Sequence, residues 1–199
     1  MKRIGIMGGT FDPIHYGHLV TAEGALQQFN LDKVVFVPSG APPHKKDIVI
    51  SPACHRCAMV ELAIASNPHF SLSRVEVERE GYSYAADTVT EFLRVYGRET
   101  QIFFITGADA IKALMSWHKV DELMSKCCFI AATRPGFNFE WDAQLPPQYR
   151  ERIFPLKVTA LAISSSEIRN MTAAGKTIKY LLPEPVESYI QKQGLYRRD

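Results

Sequence analysis

Residues 8–18 read Gly-Gly-Thr-Phe-Asp-Pro-Ile-His-Tyr-Gly-His, and the rest of the chain is arranged around them. A short apolar run, Ile4, Ile6 and Met7, leads in with the character of a buried strand. On the far side Leu19, Ala22, Leu26 and Phe29 recur at three- and four-residue spacing, the period of an amphipathic helix. A strand, a glycine turn and a helix start leave backbone N–H groups unpaired, and the helix dipole adds positive charge at the same point. Such an end attracts phosphate. Gly8 and Gly9 have no Cβ to hold a ligand away from the backbone. His15 and His18 stand three apart where the helix begins, so both rings can reach one anion. The stretch predicts a phosphate site with two histidines.

Two commoner phosphate loops are excluded. The segment lacks the Lys-Ser/Thr ending of a Walker A loop, and its glycines do not follow the G-x-G-x-x-G dinucleotide pattern. A metal on His15 and His18 would need further ligands, and no nearby Cys, Asp or Glu completes an obvious set, so no metal site is predicted. Capping or packing would account for either histidine alone. The pair beside a double glycine favours a ligand.

The bulk properties fit that reading. A chain of 199 residues suits one α/β domain, residues 1–199, with a helical C-terminal portion from about residue 164. With 46% hydrophobic and 22% charged residues the composition is that of an ordinary globule. A net charge of +2 is too weak a field to argue for nucleic acid. No signal peptide and no long apolar run is present, so no membrane association is expected and the cytoplasm is the default location. Cys54 and Cys57 fall inside a predicted helix with Ser51 as its N-cap, and Cys127 and Cys128 are adjacent in a predicted strand. All four read as reduced, small apolar residues.

Further along, Lys33–Val37 predicts a second strand, followed by Ala-Pro-Pro-His-Lys-Lys at 41–46. A cationic loop at a strand end of an open α/β sheet is placed to clamp phosphate, although surface lysines need no such purpose. Residues 70–78 alternate for part of their length and predict a strand with one wetter face. A helix follows from near Asp87 or Thr88, with Asp87 as a good N-cap. Residues 101–109 predict a buried strand entering a Gly-x-Asp turn, where Asp109 could accept from a ribose or cap the next helix. Trp117 and His118 come just beyond; a lone tryptophan is more often core than platform. After a core strand at 127–133 stand Arg134-Pro-Gly and an irregular connection over 136–152. Then Ile163-Ser-Ser-Ser-Glu-Ile-Arg169 places three hydroxyls at a helix start and an arginine one turn on. Ser164 with Glu167 also forms a capping pattern that needs no ligand. A last helix from about Pro185 to Gln193 is closed by Gly194.

Taken with Gly-x-Phe-Asp-Pro-x-His-x-Gly-His, these motifs resemble those of the HxGH nucleotidyltransferases, and among them the nicotinate-nucleotide adenylyltransferases. The resemblance rests on the 8–18 stretch, Pro-Pro-His-Lys at 42–45, Tyr-x-x-Asp-Thr at 84–88, Arg-Pro-Gly at 134–136, Ile-Ser-Ser-x-x-Ile-Arg at 163–169 and the closing Tyr-Ile-x-x-x-x-Leu-Tyr. One position departs, Ser166 where threonine is usual, and the hydroxyl is kept. The resemblance implies that His15, His18, Lys45 and Arg169 carry catalysis. It implies ATP contacts at Gly8, Gly9, Thr10, Phe11, Gly107, Asp109, Ile163, Ser164 and Ser165, and a mononucleotide site of His44, Lys45, Asp87, Thr88, Trp117, His118 and Arg134. Trp117 would be the platform for the pyridine ring, whose positive charge suits an indole face.

Alternating strands and helices predict a parallel sheet covered on both faces. The resemblance makes it a Rossmann-like, doubly wound nucleotidyltransferase fold. The expected reaction is ATP plus nicotinate mononucleotide giving nicotinate adenine dinucleotide and pyrophosphate, with Mg2+ carried on ATP. A sister adenylyl- or cytidylyltransferase, for example one acting on phosphopantetheine, and a non-catalytic nucleotide sensor are the alternatives. A homo-oligomer is compatible with the sequence, which does not fix the oligomeric state.

Overall fold

The computed structural model describes residues 1–40, 50–133, 145–159 and 161–197. Strands β1 (Arg3–Gly9), β2 (Lys33–Pro38), β3 (Phe70–Leu72), β4 (Gln101–Gly107), β5 (Cys128–Thr133) and β6 (Ile153–Lys157) form one sheet in the order β3-β2-β1-β4-β5-β6. Every pairing is parallel. The chain runs outward from β1 to one edge, returns, and runs outward from β4 to the other. The reversal lies between β1 and β4, and the carboxyl ends of strands flanking such a switch point frame a ligand crevice.

The helices are α1 (Tyr16–Gln28), α2 (Ala53–Ile64), α3 (Ala85–Tyr96), α4 (Ala108–Lys112), α5 (Val120–Lys126), α6 (Pro147–Arg150), α7 (Ser165–Ala173) and α8 (Glu184–Gln193). Because strand side chains alternate in direction, each central strand feeds two cores. Val34 and Phe36 join Phe103 and Ile105 on the face covered by α1, α2, α7 and α8. Val35 and Val37 join Ile102 and Phe104 on the face covered by α3, α4 and α5. The C-terminal helices and the connection between them share the first core through Ile168, Ile178, Val186 and Ile190, all at most 4% exposed.

Two local expectations change, and one strand is added. The pattern at 70–78 predicts one strand, but pairing stops at Leu72. Beyond it the chain turns, and Glu76 is carried inward, accepting a 2.8 Å hydrogen bond from the Thr88 hydroxyl. Helix α3 starts at Ala85 behind Tyr84 rather than at Asp87, because the Asp87 and Thr88 amides already bond the Tyr84 carbonyl. Asp87 sits in the first turn, where its charge still complements the dipole. Strand β6 falls just beyond the predicted irregular connection; exposed Phe154 and Pro155 hide its period, and proline is tolerated because the strand is an edge.

Candidate active site

The loop between β1 and α1 is shaped by its own side chains. A Cβ on Gly9 would lie 2.9 Å from the Phe11 ring, so glycine there makes room for that ring. A Cβ on Gly17 would lie 3.0 Å from the His15 ring, so the glycine between the two histidines makes room for the first of them. His15 is the N-cap residue of α1, and its backbone N–H donates to His18 Nδ1 at 3.2 Å. The capping role weighed for these histidines is therefore filled by one nitrogen of His18. Since Nδ1 accepts, the neutral His18 ring carries its proton on Nε2 as a donor. The two rings lie 3.8 Å apart, centroid to centroid. His15 Nδ1 is buried with no hydrogen-bond partner among the described residues.

Burial lowers the pKa of His15 to about 4, and burial together with neighbouring His15 lowers that of His18 to about 3. Both rings are neutral at pH 7 in the folded chain. Unfolded imidazoles take up protons near pH 6.5, so below that pH the unfolded state binds more protons and stability falls. Between pH 7 and pH 5 the expected loss is about 3–4 kcal/mol, just under 2 for each ring, read as a lower urea midpoint. A His15→Asn/His18→Asn double variant should show a flatter dependence, and an unchanged slope would exclude these rings as its cause.

The start of α7 closes the other side of the loop. Ser164 is its N-cap, accepting from the Glu167 amide at 3.1 Å, which is the capping pattern read from the sequence. Ser165 Oγ donates to the Pro13 carbonyl at 2.8 Å. Arg169 Nη1 donates to the Asp12 carbonyl at 2.7 Å, and its Nη2 donates to Ser166 Oγ at 3.3 Å. The serines and the arginine thus bind α7 to the histidine loop.

Two cavities open at the carboxyl edge of the sheet. One, of about 420 Å³, is bounded by Gly8, His15, His18, Gly107, Ile163 and Ser165, among others. A side chamber of about 200 Å³ is lined by Thr10, Phe11, Asp12, His18 and Arg169. The second cavity, of about 440 Å³, has Gly8 and Gly9 at its floor, with Glu76, Tyr84, Trp117 and His118 around it. The two large cavities share Gly8 and Thr106. Trp117 is half-buried and held nearly at right angles to Phe104 and Phe129, each 5.9 Å away. His118 stacks on Tyr84 at 4.2 Å.

Thus His15, His18, Gly8, Thr10, Phe11, Gly107, Ile163, Ser164, Ser165 and Arg169 gather on one side, with Trp117, His118 and Gly9 on the other. Asp109 is exposed in the first turn of α4, and neither it nor Asp87 nor Thr88 borders these cavities; Tyr84 and Ala85 do so instead. His44, Lys45 and Arg134 lie outside the described residues. Three participants escape the sequence reading. Asp12 is seen only as part of a motif, Glu76 is hidden in an apparent strand, and Arg56 is an arginine on the buried face of α2. Arg56, 3% exposed, donates to the Thr10 and Ser51 carbonyls at 2.9 Å each. A charged residue among Cys57, Met59 and Val60 is the one sequence signal for it. Ser51, expected to cap α2, is part of this network, and Pro52 takes the cap position.

Residues 6–171 match the family model described as cytidylyltransferase-like. A protein of Moorella thermoacetica described as "Probable nicotinate-nucleotide adenylyltransferase" is 59% identical over 199 residues, covering 98% of this chain and 92% of that protein. One of the same description from Thermoanaerobacter sp. is 52% identical over 201 residues, covering 99% and 95%. Among solved structures, Plasmodium falciparum nicotinic acid mononucleotide adenylyltransferase, complexed with APC or with NaAD, superposes with a TM-score of 0.78. That likeness, at 22% identity over 98% of each chain, is one of fold. Among the described residues no helix is long and apolar enough to cross a membrane.

Proposed function

We infer that this chain, which belongs to the cytidylyltransferase-like family and within it to the nicotinate-nucleotide adenylyltransferases, transfers the adenylyl group of ATP to the phosphate of nicotinate mononucleotide. The observation that carries this reading is the shared wall at Gly8 and Thr106. It is common to a cavity rich in phosphate donors and to one furnished with aromatic rings, so that two substrates can meet there, as the transfer requires. The triphosphate lies against His15, His18, Ser165 and Arg169, and the pyridine ring against Trp117. The two phosphates to be joined then meet over Gly8.

A phosphate oxygen of the mononucleotide attacks the α-phosphorus in line. The new P–O bond forms as the bond to the pyrophosphate oxygen breaks, and the electron pair leaves with pyrophosphate. The nucleophile is ionised at neutral pH, so no general base is required. What the protein supplies is position and stabilisation of developing charge. Neutral histidines suit this task because they donate without having first to be paired with an anion. Arg169 and Lys45 supply positive charge. A divalent cation would travel on the triphosphate, held by phosphate oxygens and water. Both Asp12 carboxylate oxygens already accept hydrogen bonds, and no cluster of three ligating side chains exists among the described residues.

The test is pyrophosphate release from ATP and magnesium with nicotinate or nicotinamide mononucleotide as acceptor. Turnover with a strong preference for the acid is expected. Equal rates would make the enzyme dual-specific, turnover only with phosphopantetheine would replace the acceptor, and ATP binding without turnover would favour a sensor. In the same assay Trp117→Ala should raise KM for the mononucleotide about ten- to hundred-fold, with KM for ATP little changed. Equal increases in both would remove Trp117 from the pyridine site.

A further inference from the structure

The last turn of the chain reaches back to the first loop. Helix α8 ends at Gly194 in the left-handed region (φ 64°), and the Leu195 amide bonds the Ile190 carbonyl at 3.0 Å. This reversal is a glycine-terminated helix end of the common kind. It delivers Tyr196 to the loop between β1 and α1, where the Tyr196 hydroxyl donates to Asp12 Oδ1 at 2.6 Å. Tyr196 takes a left-handed backbone (φ 63°), and so does Phe11 (φ 51°), the residue before Asp12. Neither is glycine, so each conformation is held against its own preference by what surrounds it.

Asp12 is the hub. It is 4% exposed, and a carboxylate so buried needs donors for its oxygens. Besides Tyr196 on Oδ1, the Ser51 amide donates to Oδ2 at 3.1 Å. The Asp12 carbonyl accepts from Arg169 at 2.7 Å. The neighbouring Thr10 and Ser51 carbonyls are held by Arg56. Burial and the Asp12 carboxylate push the Tyr196 pKa up, so its hydroxyl stays a donor. Tyr196 borders none of the cavities at the sheet edge, yet it is one bond from the residue whose backbone holds Arg169.

We propose that Tyr196 is a positioning residue for the phosphate site: its hydroxyl fixes Asp12, and Asp12 fixes the loop bearing Thr10 and Phe11 together with the Arg169 guanidinium. The acceptor cavity, on the other side of Gly8, does not depend on this tether. A residue that merely anchored the C-terminus would contribute to stability and leave substrate parameters alone.

The proposal rests on ATP being the substrate of this site, and direct titration of ATP in the absence of acceptor tests it separately from turnover. In Tyr196→Phe the ring stays and the hydroxyl goes. ATP affinity should fall about three- to ten-fold and kcat about ten-fold, while KM for nicotinate mononucleotide stays within two-fold. Asp12→Ala should lose at least as much, and adding Tyr196→Phe to it should change kcat/KM for ATP less than two-fold. Should Asp12→Ala fail to fold, Tyr196→Phe alone decides through its split between the two substrates. A lower Tm with ATP affinity and kcat within two-fold of wild type would overturn the proposal, as would fully additive losses in the double variant. A wild type that binds ATP but shows no turnover would overturn the adenylyltransferase reading, and the affinity comparison would still decide on Tyr196.

Discussion

His18→Ala lowers the rate of adenylyl transfer by about two to four decades in a protein that still folds. The expectation comes from one hydrogen bond. The His15 amide donates to His18 Nδ1, which fixes both the orientation of the ring and the nitrogen that carries the proton. On the proposed mechanism the remaining N–H meets charge that grows only as the transferred phosphorus is attacked. A donor held in place before reaction is worth several kcal/mol in the transition state. Alanine removes it. The same substitution removes the acceptor for the His15 amide, at a stability cost of about 1 kcal/mol, typical of a lost cap. The check is kcat at saturating substrates with Tm measured alongside. Activity within a factor of a few of wild type, in a folded variant, would exclude His18 from the chemistry.

Arg169→Ala lowers kcat/KM for ATP by about two to three decades, with KM for the mononucleotide nearly unchanged. The guanidinium already spends donors on the Asp12 carbonyl and on Ser166, and those bonds hold it at the edge of the chamber that it shares with His18 and Thr10. Arg169 lines that chamber with donors to spare, since a guanidinium carries five N–H groups. Arg169→Lys should recover no more than part of the loss, because an ammonium cannot keep the Asp12 carbonyl and present a fork as well. Full recovery by lysine would reduce the role to that of a point charge. Equal damage to both substrates would show that the variant disturbs the whole cleft instead.

The extent to which the sequence reveals this protein depends on how local each device is. Strand β1, its glycines and the two histidines form one continuous stretch, and its chemistry is legible because neighbours in the chain are neighbours in the site. The serine-rich start of α7 is legible for the same reason, down to the bond from Ser164 to the Glu167 amide. The sheet follows from the buried runs at β2, β4 and β5. Glu76 does not, because alternating residues at 73–78 imitate a strand while the turn that follows Leu72 depends on the distant Thr88. Arg56 and Tyr196 are illegible for a related reason. The Thr10 carbonyl that Arg56 holds is 46 residues away in the chain and the Asp12 carboxylate that Tyr196 reaches is 184 away, so sequence neighbours do not record these contacts.

The wall at Gly8 and Thr106 has a consequence for how such a protein can diversify. Residues that touch only the aromatic cavity can be exchanged to suit a different acceptor while the nucleotide end is left alone, and the reverse holds for residues around α7. A change at Gly8 has no such privacy. Its backbone borders both chambers, and a Cβ there would come to 3.3 Å from Phe104. New specificities are therefore open to each half separately, whereas the border they share constrains both at once.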